Sequence, residues 1–383
     1  MTNKRRIKGG WLLALLVLMV VSGCLYYSEY GDINPQSSDS ITPSTEVKGL
    51  STETPIAVIT TAPKGDYYEL YFTNPKDSND NSVEEALISK IDGSTISIDM
   101  AVFEFDIKEV MEALIRAENR GVDIRIVYDN EYTDKDPQMA ELKSDGIPAI
   151  PDKRSNLMHN KFFVFDDACV WTGSFNISNN ASHKNNENAI YFCSPEAVAN
   201  YSTEFTEMYS GEFGTTSPSD TPFPSFVING VTVDNCFAPE DKCMAKVIKA
   251  VEAADTSIHF MSFSFTDDKL ANAMITDANR GVTVEGIFER LGADTKYSEC
   301  GTLLKKGYDI RLDGNPNTFH HKVIIVDSEF VIFGSFNFTA SADKDNDENL
   351  LIWYDPFLAQ KFEEQYQLMK SQAITPSGNT CSR

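Results

Sequence analysis

The chain has 383 residues, of which 42% are hydrophobic and 11% aromatic, a composition typical of globular proteins and not of disordered ones. Its formal net charge is -24 at pH 7, so no general basic field is available to attract nucleic acid or anionic lipid. A local basic cleft remains compatible with this charge, because net charge governs solubility and long-range steering rather than one site.

The N-terminal segment has the pattern of an export signal. Its basic part contains Lys4, Arg5, Arg6 and Lys8. A short apolar run, residues 11–21, follows and leads into Val-Ser-Gly-Cys, which resembles a lipoprotein processing box ending at Cys24. We therefore predict a signal peptide at residues 1–23 and lipidation of Cys24. The alternative is an uncleaved membrane anchor, and both interpretations place the rest of the chain on the outer side of the cytoplasmic membrane.

Two segments have the composition of connectors. Residues 24–65 are rich in Ser, Thr, Pro and acidic residues and lack sustained apolar periodicity, which predicts a tether. Residues 211–226 contain Thr-Thr-Ser-Pro-Ser-Asp-Thr-Pro and are predicted to be an interior linker. Residues 372–383 are predicted to form a C-terminal tail.

The segments on either side of the linker, residues 66–210 and 227–371, repeat one another. The matching pieces are IDMAVFEF (98–105) and IHFMSFSF (258–265), NRGV (119–122 and 279–282), and GSFN (173–176 and 334–337). The pairs keep one order and are separated by 160 or 161 residues (279 minus 119, 334 minus 173). This regularity indicates two tandem copies of one structural unit.

Each repeat alternates helical and strand patterns. One helical face is predicted to carry Ile107, Val110, Met111, Leu114 and Ile115. Gly121 is a plausible C-terminal cap, and residues 122–128 then alternate as a strand does. Residues 161–165 and 322–326 are short continuous apolar runs, typical of strands buried on both faces. The alternation predicts an α/β sandwich in each repeat.

The cysteines agree with export. Apart from Cys24, the chain contains Cys169, Cys193, Cys236, Cys243, Cys300 and Cys381. An even set of this kind is compatible with three disulfides, although buried free thiols are the alternative and the sequence selects no pairing. No Cys/His cluster has zinc spacing, so no structural metal site is predicted.

A polar motif occurs once in each repeat. The first copy contains His159, Lys161, Asp166, Ser174, Asn176 and Glu187, and the second contains His320, Lys322, Asp327, Ser335, Asn337 and Glu348. Residues i and i+2 of a strand face the same side, so each histidine is presented together with its lysine. An imidazole beside a fixed positive charge is suited to attack on a phosphate ester.

The paired motif resembles the HxKxxxxD signature of the phospholipase D superfamily, and the resemblance extends from about residue 68 to residue 369. The short repeats are more similar to its compact nucleases and cardiolipin-hydrolase-like members. In those relatives two chains pair. The internal repeat here implies the same arrangement within a monomer, with two sandwiches related by a pseudo-twofold axis and one shared active site.

The resemblance also implies a role for each motif residue. One histidine attacks phosphorus and the other protonates the leaving oxygen, with His159 taken as the nucleophile and His320 as the acid. The groups implied to bind the phosphate oxygens are Lys161, Lys322, Asn176 and Asn337, with added hydrogen bonds from Ser174 and Ser335. Glu187 and Glu348 are implied to orient the imidazoles, in a pairing that the sequence leaves open. Asp166 and Asp327 are expected in structural ion pairs, and no metal or cofactor is implied.

The substrate is less constrained. Membrane tethering and the acidic chain favour a phospholipid, with DNA or RNA cleavage, transphosphatidylation and a silent phosphoester-binding site as alternatives. His183, His259 and His321 are expected to be solvated or structural. The aromatic residues Phe103, Phe105, Phe263 and Phe265 are predicted either to line a cleft or to belong to the core.

Overall fold

The computed structural model describes residues 67–73, 75–76, 82–378 and 380–381, all of which belong to one unit, Thr61–Arg383. The predicted signal peptide, Cys24 and the tether lie outside the described residues. The fold is mixed α/β, as predicted, with one sheet for each repeat. Among the described helices, none combines the length and the apolar character needed to cross a membrane.

The sheet of the first repeat has seven strands: β1 (Tyr68–Phe72), β2 (Ser97–Val102), β3 (Asp123–Tyr128), β4 (Ala149–Pro151), β5 (Phe162–Phe165), β6 (Cys169–Gly173) and β7 (Asn188–Phe192). Their order is β1-β7-β6-β5-β2-β3-β4, with β2, β3 and β4 parallel and the other neighbours antiparallel. The helices of this repeat are Ser82–Gly93, Lys108–Asn119, Asn130–Thr133, Pro137–Ser144, Asn179–His183 and Pro195–Ser210.

The sheet of the second repeat has eight strands: β8 (Ser225–Ile228), β9 (Val231–Ala238), β10 (Ser257–Ser262), β11 (Thr283–Phe288), β12 (Asp309–Leu312), β13 (Lys322–Val326), β14 (Phe330–Gly334) and β15 (Glu348–Trp353). Their order is β12-β11-β10-β13-β14-β15-β9-β8. The helices here are Cys243–Val251, Asp268–Asn279, Cys300–Lys305, Ala340–Lys344 and Pro356–Gln372. The predicted linker holds a short 3-10 helix, Gly214–Thr216, and its last two residues already belong to β8.

The repeat visible in the sequence is a repeat of structure. The helix Lys108–Asn119 corresponds to Asp268–Asn279, and both end at the asparagine of the shared NRGV segment, two residues before its glycine. In the first copy Gly121 has φ +91°, a left-handed conformation that glycine adopts without strain. The helix buries Val110, Met111 and Leu114 against its sheet, as the spacing of these residues predicts.

The hydrophobic core has three layers of side chains. A central cluster joins the repeats, with Tyr201 and Phe205 from the helix Pro195–Ser210 and Phe362 from the helix Pro356–Gln372. Each repeat adds an outer cluster on the other face of its sheet. Both faces of each sheet are therefore covered, which explains why β5 and β13 are buried along their whole length.

The repeats meet through matched backbone contacts. Isolated bridges join Met158 to Asp347 and Asn186 to Phe319, and the members of the two bridges differ by 161 residues (319 minus 158, 347 minus 186). Through them the N–H of His159 donates to the carbonyl oxygen of Asp347 (2.9 Å), and the N–H of His320 donates to that of Asn186 (3.0 Å). The backbone that carries each histidine is thus held by the opposite repeat, as the predicted pseudo-twofold requires.

Three disulfides are present among the described residues. They join Cys169 to Cys193, Cys236 to Cys243 and Cys300 to Cys381. Each lies within one repeat or ties the C-terminal residues to the second repeat, so none crosses between the repeats.

Candidate active site

The two motif histidines are buried where the repeats meet, and each is bound by a glutamate of the other repeat. Nδ1 of His159 lies 2.7 Å from Oε2 of Glu348, and Nδ1 of His320 lies 2.9 Å from Oε2 of Glu187. The side chains are almost inaccessible, with 4% of His159 and 6% of His320 exposed. Because Nδ1 is engaged in both rings, Nε2 is the nitrogen left for chemistry.

A serine and an asparagine hold each glutamate. Ser335 Oγ donates to Oε2 of Glu348 (2.6 Å), and Asn346 Nδ2 donates to Oε1 of the same carboxylate (3.4 Å). In the other half, Ser174 Oγ donates to Oε2 of Glu187 (2.7 Å), and Asn185 Nδ2 donates to Oε1 of the same carboxylate (3.4 Å). The serines expected to bind substrate are therefore occupied with orienting the carboxylates.

The motif lysines are buried beside their histidines. Lys161 Nζ donates to the carbonyl oxygen of His159 (2.5 Å), and Lys322 Nζ donates to that of His320 (2.7 Å). Burial lowers the pKa of Lys161 to about 8 and that of Lys322 to about 7, although nearby glutamates oppose the decrease. Each ammonium group is a buried cation that donates to a neutral carbonyl oxygen, so the two together are suited to bind an anionic ligand.

The aromatic residues of the repeat segment divide into two pairs. The rings of Phe103 and Phe263 lie 4.7 Å from His159 and 4.8 Å from His320, respectively, in edge-to-face geometry. Each also stacks under a motif lysine at 4.8 Å. Phe105 and Phe265 are buried in the outer cores. The first pair therefore packs against the motif residues, whereas the second pair belongs to the core, as one of the two interpretations predicted.

Of the asparagines predicted to bind phosphate, Asn176 is buried and Asn337 is partly buried, and neither amide group is fully used. The Oδ1 atoms of Asn176 and Asn337 have no hydrogen-bond partner. Asn176 Nδ2 donates to Oε2 of Glu104 (3.1 Å), a residue that the sequence analysis did not select. A comparison of the aligned segments would have found it, because the second repeat has Ser264 at the equivalent position.

The expectation of ion pairs for the motif aspartates is wrong. Asp166 accepts hydrogen bonds from the backbone N–H groups of residues 95–97, and Asp327 accepts them from those of residues 255–257. Burial alone would raise the pKa of Asp166, but these N–H donors outweigh it and lower the pKa. Asp166 thus anchors the turn before β2, and Asp327 the turn before β10, each a strand that pairs with the motif strand of the same repeat.

The side chains on the opposite face of the motif strands form a second matched set. His321 Nδ1 lies 2.9 Å from Nδ2 of Asn188, and Asn349 Nδ2 donates to Oδ1 of Asn160 (2.8 Å). These contacts tie the repeats together behind the site. The other histidines lie elsewhere: His259 stacks on Tyr366 and contacts Glu363, and His183 is partly exposed.

The electrostatics of the site favour neutral imidazoles. Burial, together with the neighbouring lysines, lowers the pKa of His159 and of His320 well below the ordinary value. Burial raises the pKa of Glu187 and of Glu348 to about 8, against the effect of the lysines. A neutral imidazole keeps its Nε2 lone pair available for attack on phosphorus. Within the described residues, no group of three or more His, Cys, Asp or Glu is placed to hold a metal ion.

Comparison with known families identifies the same two units. A family model described as "Cardiolipin synthase, PLD-like domain" matches residues 87–209 and 247–370, which together are more than half of the chain. Phospholipase D from Rickettsia prowazekii (strain Madrid E) is 35% identical over 134 residues, which are 35% of this chain and 65% of that protein.

Two further proteins are similar. Mitochondrial cardiolipin hydrolase from Homo sapiens is 31% identical over 132 residues, covering 34% of this chain and 52% of that protein. The chain therefore matches less than two thirds of the length of these curated relatives. The crystal structure of phosphatidylserine synthase from Haemophilus influenzae Rd KW20 matches with a TM-score of 0.63 and 17% identity, over 84% of this chain and 90% of that chain. The latter match establishes a common fold.

Proposed function

This chain belongs to the phospholipase D superfamily, and from that premise we propose that it hydrolyses phosphodiester bonds of phospholipids, releasing the head group through a phosphohistidine intermediate. The observation that carries the proposal is the pair of buried imidazoles, each with Nδ1 bound to a glutamate and Nε2 left for chemistry. Relatives named phospholipase D and cardiolipin hydrolase support a lipid substrate.

In the first step, Nε2 of His159 attacks phosphorus and the bond from phosphorus to the head-group oxygen breaks. His320 donates the Nε2 proton to that oxygen, so the head group leaves as an alcohol. In the second step, His320 takes a proton from water, the hydroxide attacks phosphorus, and the P–N bond to His159 breaks. The products are phosphatidic acid and the free head group, and both histidines return to their starting states.

Binding of the phosphate supplies what the first step needs. In this proposal Lys161 and Lys322 stabilise the charge that develops on the non-bridging oxygens, and the amide N–H groups of Asn176 and Asn337 add hydrogen bonds to them. The phosphate's negative charge also stabilises a protonated His320, which otherwise stays neutral because of burial and the lysines. Binding of the substrate thus favours the protonated form of His320, which then protonates the leaving group.

The predicted location and the net charge both favour a lipid over nucleic acid as the substrate. A net charge of -24 opposes the capture of a polyanion. The predicted lipidation of Cys24 would hold the enzyme at the outer surface of the cytoplasmic membrane, with residues 24–65 as a tether that gives it reach to the bilayer. We propose a monomer, because the two half-sites are already joined in one chain.

The test uses the full-length chain in detergent micelles with EDTA. Head-group release from mixed phospholipids is compared with cleavage of single- and double-stranded DNA, for the wild type, His159→Ala and His183→Ala. His183 is a partly exposed histidine outside the site and serves as the matched control. Lipid cleavage that is lost only in His159→Ala supports the proposal.

Other outcomes identify the alternatives. DNA cleavage with intact lipid would make the protein a nuclease of the same superfamily. Formation of a phosphatidyl alcohol when a primary alcohol is added would reveal transphosphatidylation. Activity on none of these substrates would indicate a silent phosphoester-binding site.

A further inference from the structure

The pseudo-twofold symmetry of the site is broken on one side. Glu104 follows β2, and the equivalent residue after β10 is Ser264 (264 minus 104 is 160). Tyr132 has Gly292 as its equivalent at the same offset. Asp129 and Glu289 confirm the alignment in this region, because each accepts a hydrogen bond from the N–H two residues later. The first repeat therefore adds a carboxylate and an aromatic ring that the second repeat lacks.

Glu104 lies within the phosphate-binding groups. Its Oε2 accepts the hydrogen bond of Asn176 Nδ2 (3.1 Å), and its charge acts on Lys161, Lys322 and His320. The side chain is partly exposed, so a ligand bound at these groups can reach it. A negative charge at this place weakens the binding of a phosphate anion by itself. That cost is offset when the substrate carries a positive charge close to its phosphate.

The aromatic ring is placed next to the same groups. Tyr132 packs on Phe103 with 4.2 Å between ring centroids, and Phe103 in turn packs against His159 at 4.7 Å. Tyr132 is half-buried, and it lies close enough to Glu104 for the charge of that carboxylate to contribute to a raised pKa of the tyrosine. A carboxylate together with an accessible tyrosine ring is the combination that binds ammonium and quaternary ammonium groups.

We propose that Glu104 and Tyr132 form a subsite for the cationic amine of an aminoalcohol head group, such as ethanolamine or choline. This inference rests on the proposed lipid hydrolysis and specifies its substrate class. The amine of such a head group is separated from its phosphate oxygen by two carbons. When the phosphate is bound, the amine therefore stays close to the phosphate-binding side chains, and Glu104 lies beside one of them. Glycerol head groups and nucleic acid strands offer no cation there, and Glu104 selects against them.

The experiment measures a ratio of specificities. Full-length protein is assayed in detergent micelles that contain phosphatidylethanolamine, phosphatidylcholine or phosphatidylglycerol as the single phospholipid. We expect the wild type to show a kcat/KM for each amine lipid about tenfold or more above that for phosphatidylglycerol, as a desolvated cation contact allows. Glu104→Ser, which introduces the residue of the second repeat, is expected to bring that ratio close to one.

Two further variants separate charge from packing. Glu104→Gln keeps a hydrogen-bond acceptor for Asn176 but removes the charge, and it should also lose the preference. Tyr132→Gly, the residue of the second repeat, should reduce the preference for phosphatidylcholine most. Glu109→Gln, a change of an exposed carboxylate on a neighbouring helix, should leave the ratio as in the wild type. Thermal melts of all variants check that they fold.

The failures are distinguishable. Equal cleavage of the three lipids by the wild type, or an unchanged ratio in Glu104→Gln, overturns the amine subsite and leaves lipid hydrolysis intact. Cleavage of DNA with no cleavage of any phospholipid overturns the proposed function itself and the subsite with it.

Discussion

Glu348 of the second repeat binds His159 of the first, with 2.7 Å between Oε2 and Nδ1. The residues are 189 positions apart, and the reciprocal contact joins Glu187 to His320. Neither repeat orients its own histidine. The catalytic geometry is therefore a property of the interface between the repeats, and a single repeat folded alone would hold an unsupported imidazole.

Replacing the two glutamates separates the roles of the histidines. Glu348→Gln and Glu187→Gln should each lower kcat on phospholipid by about 10²–10⁴, because a glutamine neither fixes the tautomer nor stabilises the charged ring. On a p-nitrophenyl phosphodiester, whose leaving group needs little protonation, Glu187→Gln should keep a rapid burst of p-nitrophenol. Glu348→Gln should lose the burst, because the attacking His159 is impaired. Bursts of equal size in both variants would contradict the assignment of His159 as nucleophile.

Much of the site could be predicted from the sequence because its residues occur in short, repeated motifs. The helix Lys108–Asn119 and the buried strands β5 and β13 likewise follow from local apolar patterns. The glutamate pairing could not be predicted. Since both repeats carry the same local sequence, pairing within a repeat and pairing across the interface satisfy the motif equally, and only the docking of the repeats selects one.

Other features of the structure could not be read from the sequence for similar physical reasons. An aspartate at a strand end is compatible with an ion pair or with backbone N–H acceptance, and the donors to Asp166 come from residues 95–97, about 70 positions away. The disulfide partners Cys300 and Cys381 are 81 residues apart. Glu104 differs from these cases, because it is not part of the repeated motif: the second repeat has Ser264 at the equivalent position, so a search for matching residues does not select it.

The two motif lysines predict an alkaline limit of activity. Burial lowers the pKa of Lys322 to about 7 and that of Lys161 to about 8, so each is a cation below that pH and loses its charge as the pH rises through it. Phosphate binding needs the cations, and kcat/KM, which reports the free enzyme, should fall above about pH 7–8. The arginine of a Lys322→Arg variant keeps its charge throughout this range, so the fall in kcat/KM should move to higher pH. A wild-type profile that stays flat to pH 10 would contradict the prediction.

The disulfides should differ in their contribution to stability. The Cys300–Cys381 bond closes a loop of 81 residues and the Cys236–Cys243 bond one of 7. Chain entropy predicts losses in the free energy of unfolding of about 4.5 and about 2.4 kcal/mol, respectively, on their removal. Urea titration of the paired alanine variants, beside the wild type, measures both. A larger loss from opening the 7-residue loop would show that native packing, not loop closure, dominates.

Gly334 is a position where the fold requires glycine. Its φ is +153°, and a Cβ atom there would lie 2.3 Å from the backbone oxygen of Asn349 in the neighbouring strand β15. Gly334→Ala must therefore push β14 and β15 apart, at a cost of about 3 kcal/mol in the free energy of unfolding. The same movement displaces Ser335, which follows in sequence and donates to Glu348, so kcat should fall as well.

The matched control is Gly301→Ala. Its Cβ would meet nothing within 4 Å, and as a helical position it should gain up to about 1 kcal/mol. Urea titration and kcat on phospholipid measure the two effects, and a Gly334→Ala protein as stable and active as Gly301→Ala would show that the two strands can separate without disturbing the site.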